Sequence, residues 1–108
     1  MNKLLSIGEA LIDMIPEQVN AGIAEVQKFQ PIVGGAPANV CGAFTKLGGR
    51  SRMITQLGDD PFGHKIVNEL AGYGIDTSCV LMTKDANTAL AFVSLGADGD
   101  RTFSFYRK

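Results

Sequence analysis

The chain has 108 residues, 45% of them hydrophobic, and a formal net charge of −1. This is the size of one small domain with enough apolar material for a packed core. The near-neutral charge excludes the basic face that an electrostatic nucleic-acid binder needs. No apolar stretch is long enough to span a bilayer. Glu9 and Asp13 interrupt the first apolar run before it could act as a secretory leader, so a cytoplasmic protein is expected. Cys41 and Cys79 lack metal-type spacing and read as free thiols, mostly buried.

In chain order, Leu4 to Gly8 and Ala10 to Ile15 read as short strands, the second ending at Pro16. A loop follows over residues 17–24. Glu25 to Gln30 is expected as a third strand, and Pro31 to Gly35 as a loop. Pro37 suits the first turn of a helix, and Gly48-Gly49 suits its end. Within it Val40, Ala43, Phe44 and Leu47 share one helical face. Arg52 to Leu57 reads as the next strand. Asp60 followed by Pro61 marks a second helix start, with Phe62, Ile66, Leu70 and Tyr73 as its apolar stripe. Cys79 to Met82, Thr88 to Leu95 and Thr102 to Tyr106 read as strands. The last two flank the Asp98-Gly99 hairpin signal. The order β-β-β-α-β-α-β-β-β predicts a partly parallel sheet with a small accessory sheet beside it. It also predicts a piece of a larger protein, because two helices are too few to cover both faces of a parallel sheet.

Several clusters could carry chemistry. Gly34-Gly35 before Pro37-Ala38-Asn39 allows close backbone approach to a ligand at a helix N-terminus, with Asn39 as donor and acceptor. An ordinary loop-to-helix junction explains the same residues. The turn is neither a P-loop nor a G-x-G-x-x-G fingerprint. Asp13, inside an apolar strand, either accepts hydrogen bonds from ligand hydroxyls or faces water; Glu9 is a weaker version of the same idea. Gly58-Asp59-Asp60-Pro61-Phe62-Gly63 reads first as a turn and helix cap, and His64 as a surface residue. Phe103 and Phe105 share one strand face, and Thr102, Ser104 and Tyr106 the other. That segment reads either as a sugar- or anion-binding strand, or as one that packs Phe103 and Phe105 into a core with Arg107 and Lys108 in solvent.

Taken as an ordered series, Gly8-Glu9 with Asp13, then Gly34 to Val40, Leu47-Gly48-Gly49 and Gly58 to Gly63, resembles the amino-terminal signature of the ribokinase/fructokinase (PfkB-type) carbohydrate kinases. With Asp98 to Arg101 and Phe105 to Arg107 downstream, it looks most like bacterial fructokinases. The resemblance implies an α/β fold: a ribokinase-like αβα sandwich, Rossmann-like with a mostly parallel sheet, carrying a small β-sheet lid. Lid strands would lie near 10–15, 25–30, 88–95 and 102–107. The whole of 1–108 would be the amino-terminal part of one sugar-kinase domain.

The resemblance also implies ATP-dependent phosphorylation of a sugar hydroxyl, with fructose as the leading substrate and 2-keto-3-deoxygluconate or ribose as alternatives. Asp13, Gly34, Gly35 and Asn39 would bind the sugar, with Tyr106 and Arg107 nearby. ATP and Mg would be required, but their residues and the catalytic Gly-Ala-Gly-Asp turn are not in this sequence. No residue here is therefore expected to be catalytic, cofactor-binding or metal-binding, and the 108 residues alone are expected to be inactive. A truncated product without function is the remaining alternative. A homodimer through the lid follows by analogy; nucleic-acid and membrane partners do not.

Overall fold

A computed structural model describes residues 3–96 and 100–106. The elements run β1 (Lys3–Ile7), β2 (Leu11–Pro16), a short 3-10 turn (Ile23–Glu25), β3 (Phe29–Gly34), α1 (Ala36–Lys46), β4 (Arg50–Gly58), α2 (Pro61–Gly72), β5 (Val80–Thr83), β6 (Leu90–Leu95) and β7 (Arg101–Tyr106). The succession of strands and helices is the one the sequence predicts. Residues 97–99 of the expected hairpin tip, and Arg107 and Lys108, lie outside the described residues. The arms of that hairpin are antiparallel, and the Gly96 N–H donates to the Asp100 carbonyl at 2.8 Å.

Two sheets result. β1-β4-β5 is parallel throughout, while β3-β2-β6-β7 mixes one parallel contact, β2 with β6, with two antiparallel ones. The expected parallel sheet with a second sheet is therefore present. The chain crosses from one sheet to the other between β1 and β2 and again between β5 and β6, and it returns through α1 after β3.

The core sits where the sheets and helices meet. Ile12 comes from the second sheet, Met53 and Leu57 from β4, Ile66 and Leu70 from α2, and Cys41 from α1. Each fully buried aliphatic side chain of this kind contributes roughly 1.5–3 kcal/mol by leaving water. On β4, Arg52 bridges Asp76 at 2.9 Å. Hydrogen bonds from Ser78, then from Arg52, hold the Asp76 carboxyl down at about 2.

Four expectations need correction. The strand placed over Glu25 to Gln30 lies at Phe29–Gly34, and Pro31, read as loop, is inside it opposite Met14. β3 is an edge strand, where a missing N–H is tolerated. In α1 the buried residues are Ala38 and Cys41, while Val40 and Leu47 are exposed. Small side chains let the helix lie close on the sheet, and the Cys41 thiol reaches the Arg52 carbonyl. Phe103 and Phe105 are not core residues: they stack on each other at 5.8 Å and are half exposed. Tyr73, at the end of the α2 stripe, is also exposed, whereas Ile66 and Leu70 are buried as expected.

Candidate functional site

The two glycine-containing motifs, distant in sequence, are packed against each other. Gly8 lies against Pro37; a Cβ added there would stand 2.6 Å from the proline Cγ. Gly35 has φ +102, which favours glycine, and its missing Cβ would stand 2.6 Å from the Glu9 carbonyl oxygen. Gly34 pairs with Leu11 across the β2–β3 ladder. Strand alternation puts Asp13 on the same face, and its carboxylate occupies the space where a Gly34 side chain would be. Gly34 and Gly35 are thus required for different reasons: one makes room for Asp13, the other for the chain crossing beneath it.

Asp13 is partly buried. Burial raises its pKa above the ordinary aspartate value, and the positive charge of Arg101 offsets this only in part. No hydrogen bond to its carboxylate forms among the described residues, so its lone pairs stay open to a ligand.

Beside it, α1 begins at Gly35 with no side-chain cap. Its first-turn N–H groups therefore lack the side-chain partner that Asp60 gives α2. A half-buried carboxylate next to an uncapped helix start can accept from hydroxyls on one side and donate to oxygens on the other. That combination suits a polyhydroxylated ligand.

Asn39 lies in the first turn of α1, its N–H donating to the Gly35 carbonyl at 3.0 Å. It is exposed and borders a groove with Val33, Gly42, Lys46 and Tyr73, and no hydrogen bond joins it to Asp13. Tyr106 is not brought to this face. Asp13 pairs with Ala91, and Ala91 with Phe105, so Phe105 shares the Asp13 face and Tyr106 points to the other. There the Tyr106 ring meets Phe92 edge-on at 5.4 Å. Arg107 lies outside the described residues.

Sequence reasoning assigned no site role to Ile32 or Arg101, which the register puts on the Asp13 face together with Phe105. Period-2 alternation carries that signal once the strand pairing is known. Glu9 is exposed at the start of the crossing.

The Gly58 to Gly63 segment is structural. Asp60 caps α2 by accepting from the Gly63 N–H at 2.7 Å. His64 is exposed, paired with Asp59 at 2.9 Å. Cys41 is buried and Cys79 half-buried, and both are free. Among the described residues no three His, Cys, Asp or Glu side chains group as a metal site. None of the described helices is long and apolar enough to cross a membrane.

Comparison with known proteins gives the family and the fold. Residues 1–108 match the pfkB family carbohydrate kinases. Fructokinase-2 of Solanum habrochaites is 48% identical over 104 residues, which are 96% of this chain and 32% of that protein. Among solved structures, the fructokinase from Xylella fastidiosa superposes with a TM-score of 0.84 at 42% identity, covering 96% of this chain and 32% of the other. A sugar kinase from Pyrococcus horikoshii, solved in complex with ATP, gives 0.89 at 36% identity, over 95% and 33%. The chain thus spans about a third of the length of the relatives it matches.

Proposed function

This chain belongs to the pfkB family of carbohydrate kinases, and from that premise we propose that it is the sugar-binding portion of an ATP-dependent fructokinase. The observation that carries the reading is the Asp13 carboxylate lodged over Gly34, open to solvent, beside the uncapped start of α1. Asp13 accepts from sugar hydroxyls, Gly34 and Gly35 admit the sugar to the backbone, and Asn39 adds a donor and acceptor at the rim. The second sheet is the lid. Phe105, rather than Tyr106, stands on its sugar-facing side; Arg107 belongs to the same proposal.

ATP supplies the phosphoryl group. The sequence carries neither a P-loop nor a G-x-G-x-x-G run. In this proposal the residues that hold ATP and Mg, and the catalytic base, belong to the two-thirds of the relatives' length that this chain does not span. Phosphoryl transfer depends on positioning and charge stabilisation, so this chain contributes the acceptor's position only and is inactive by itself.

The test is ATP consumption by the full-length protein with fructose, ribose and 2-keto-3-deoxygluconate. Turnover is expected with fructose. A preference for either other sugar would move the substrate within the family, and turnover with none would sink the kinase reading. Turnover by the purified 108-residue chain would refute its inactivity. A cytoplasmic location and a homodimer through the second sheet complete the proposal; sedimentation of the full-length protein as single copies would remove the dimer.

A pH dependence follows from Asp13. Its carboxyl titrates above the ordinary value, chiefly through burial, and protonation turns one of its two accepting oxygens into a donor. The KM for fructose is expected to climb on acidification with a midpoint above pH 3.8. An acid limb at or below that value would contradict the role.

A further inference from the structure

Asp60 does more than cap a helix. Besides accepting from the Gly63 N–H, its carboxylate accepts from the Thr88 hydroxyl at 2.7 Å and from the Thr88 N–H at 2.9 Å. The Thr88 oxygen in turn accepts from the Gly58 N–H at 3.1 Å. Thr88 is only 5% exposed, so water does not replace these partners. The junction is close-packed: a Cβ on Gly58 would stand 2.5 Å from the Thr88 nitrogen and 2.7 Å from the Ala86 carbonyl oxygen. Burial opposes the charge on Asp60, but the hydrogen bonds from Thr88 and Gly63 outweigh it and hold the carboxyl below the usual range. Asp60 is thereby an ionised acceptor, and hydrogen bonds to a charged group are the stronger kind.

What this junction fixes is the start of β6. Ala89 accepts from the Ile12 N–H at 3.1 Å, Leu90 pairs with Ile12, and Ala91 pairs with Asp13. Only Ala89 and Leu90 therefore separate Thr88 from the strand partner of Asp13. The neighbour of β2 on its other side, β3, is an edge strand. The chain passes between the two sheets elsewhere through Gly8 to Ala10 and Gly34-Gly35, where glycines govern the path. At Thr88, by contrast, a side chain ties the end of β4 and the start of α2 to the strand beside Asp13.

We infer that Thr88 and Asp60 are positioning residues for ligand binding: they anchor β6, and through it they set Asp13 against the start of α1. The inference rests on the sugar-kinase reading for its ligand, though not for the anchoring itself. Helix capping alone would require only the Asp60–Gly63 bond, so Thr88 separates the two roles. Thr88→Val keeps the backbone N–H and the cap but loses the hydroxyl's bonds to Asp60 and to the Gly58 backbone.

The experiment uses the full-length protein with Thr88→Val and Thr88→Ser, measuring kinetics for fructose and ATP together with amide exchange at Ile12. Thr88→Val is expected to raise the KM for fructose roughly tenfold and to speed Ile12 exchange roughly tenfold, about the effect of one such bond. The kcat and the KM for ATP should stay within about twofold, and Thr88→Ser should restore both affected quantities. An unchanged fructose KM overturns the inference. So does a uniform loss in kcat and both KM values, or a Ser variant that behaves like Val. If the wild-type protein turns over no sugar, the kinase reading fails separately, and unaltered exchange at Ile12 then overturns the anchoring.

Discussion

Asp13→Asn in the full-length protein is expected to cut kcat/KM for the sugar at least a hundredfold while leaving the fold as stable as before, or more so. The carboxylate has no hydrogen-bond partner of its own among the described residues, so its role is toward a ligand. Asparagine keeps the shape but can no longer accept at both terminal atoms. Each charge-assisted hydrogen bond lost costs about 1.5–3 kcal/mol, and two of them exceed the 2.7 kcal/mol that corresponds to about a hundredfold.

The stability half of the expectation comes from the sign of the pKa shift. Burial raises the folded-state value above the ordinary one. Such a group contributes stability below its unfolded pKa, and this is lost as pH rises through the folded value. At neutral pH the charge on Asp13 is therefore a cost to folding, and the neutral amide removes it. Kinetics and thermal unfolding of the same variant check both halves. A variant that unfolds at lower temperature and keeps its kcat/KM would show Asp13 to be structural.

Local chemistry was the most legible part of the fold. Asp60-Pro61 fixes the start of α2 because cap and N1 proline act within one turn. Gly74, at φ +86, lies just beyond its end. What depended on distant partners was not legible. Pro31 reads as a breaker until β3 is known to be an edge. The apolar face of α1 is ambiguous because Val40, Ala43 and Leu47 compete with Ala38 and Cys41, and closeness of packing decided for the small ones.

The site divides the same way. That Gly34 and Gly35 had to be glycine was readable; that Asp13 and Glu9 are what they make room for was not. Asp60 was readable as a cap, but Thr88, 28 residues away, gives no sequence signal as its second partner. That Phe105 and not Tyr106 shares the Asp13 face was not readable, because face assignment needs the β6–β7 register, which sequence alternation alone leaves undetermined.

The adjacent glycines give the other large effect, and the two should fail differently. Gly35→Ala puts a Cβ against the Glu9 backbone at a positive φ. Backbone cannot step aside, and strain of this kind costs about 1–3 kcal/mol before the collision is counted. The full-length variant is expected to lose roughly 5 °C or more in Tm, with sugar binding falling as a consequence. Gly34→Ala meets only the end of the Asp13 side chain. A side chain can rotate away, so stability should fall by about 1 kcal/mol or less. The carboxylate is then displaced from its ligand position, and misplacement by about 1 Å is enough for roughly a hundredfold loss. Gly34→Ala is therefore expected to raise the KM for sugar about a hundredfold with Tm nearly unchanged. Thermal scans and sugar titrations of the pair decide the matter. If both variants lose Tm equally and bind sugar in proportion to their folded fraction, the Gly34–Asp13 contact serves folding alone, and the turn is an ordinary helix start.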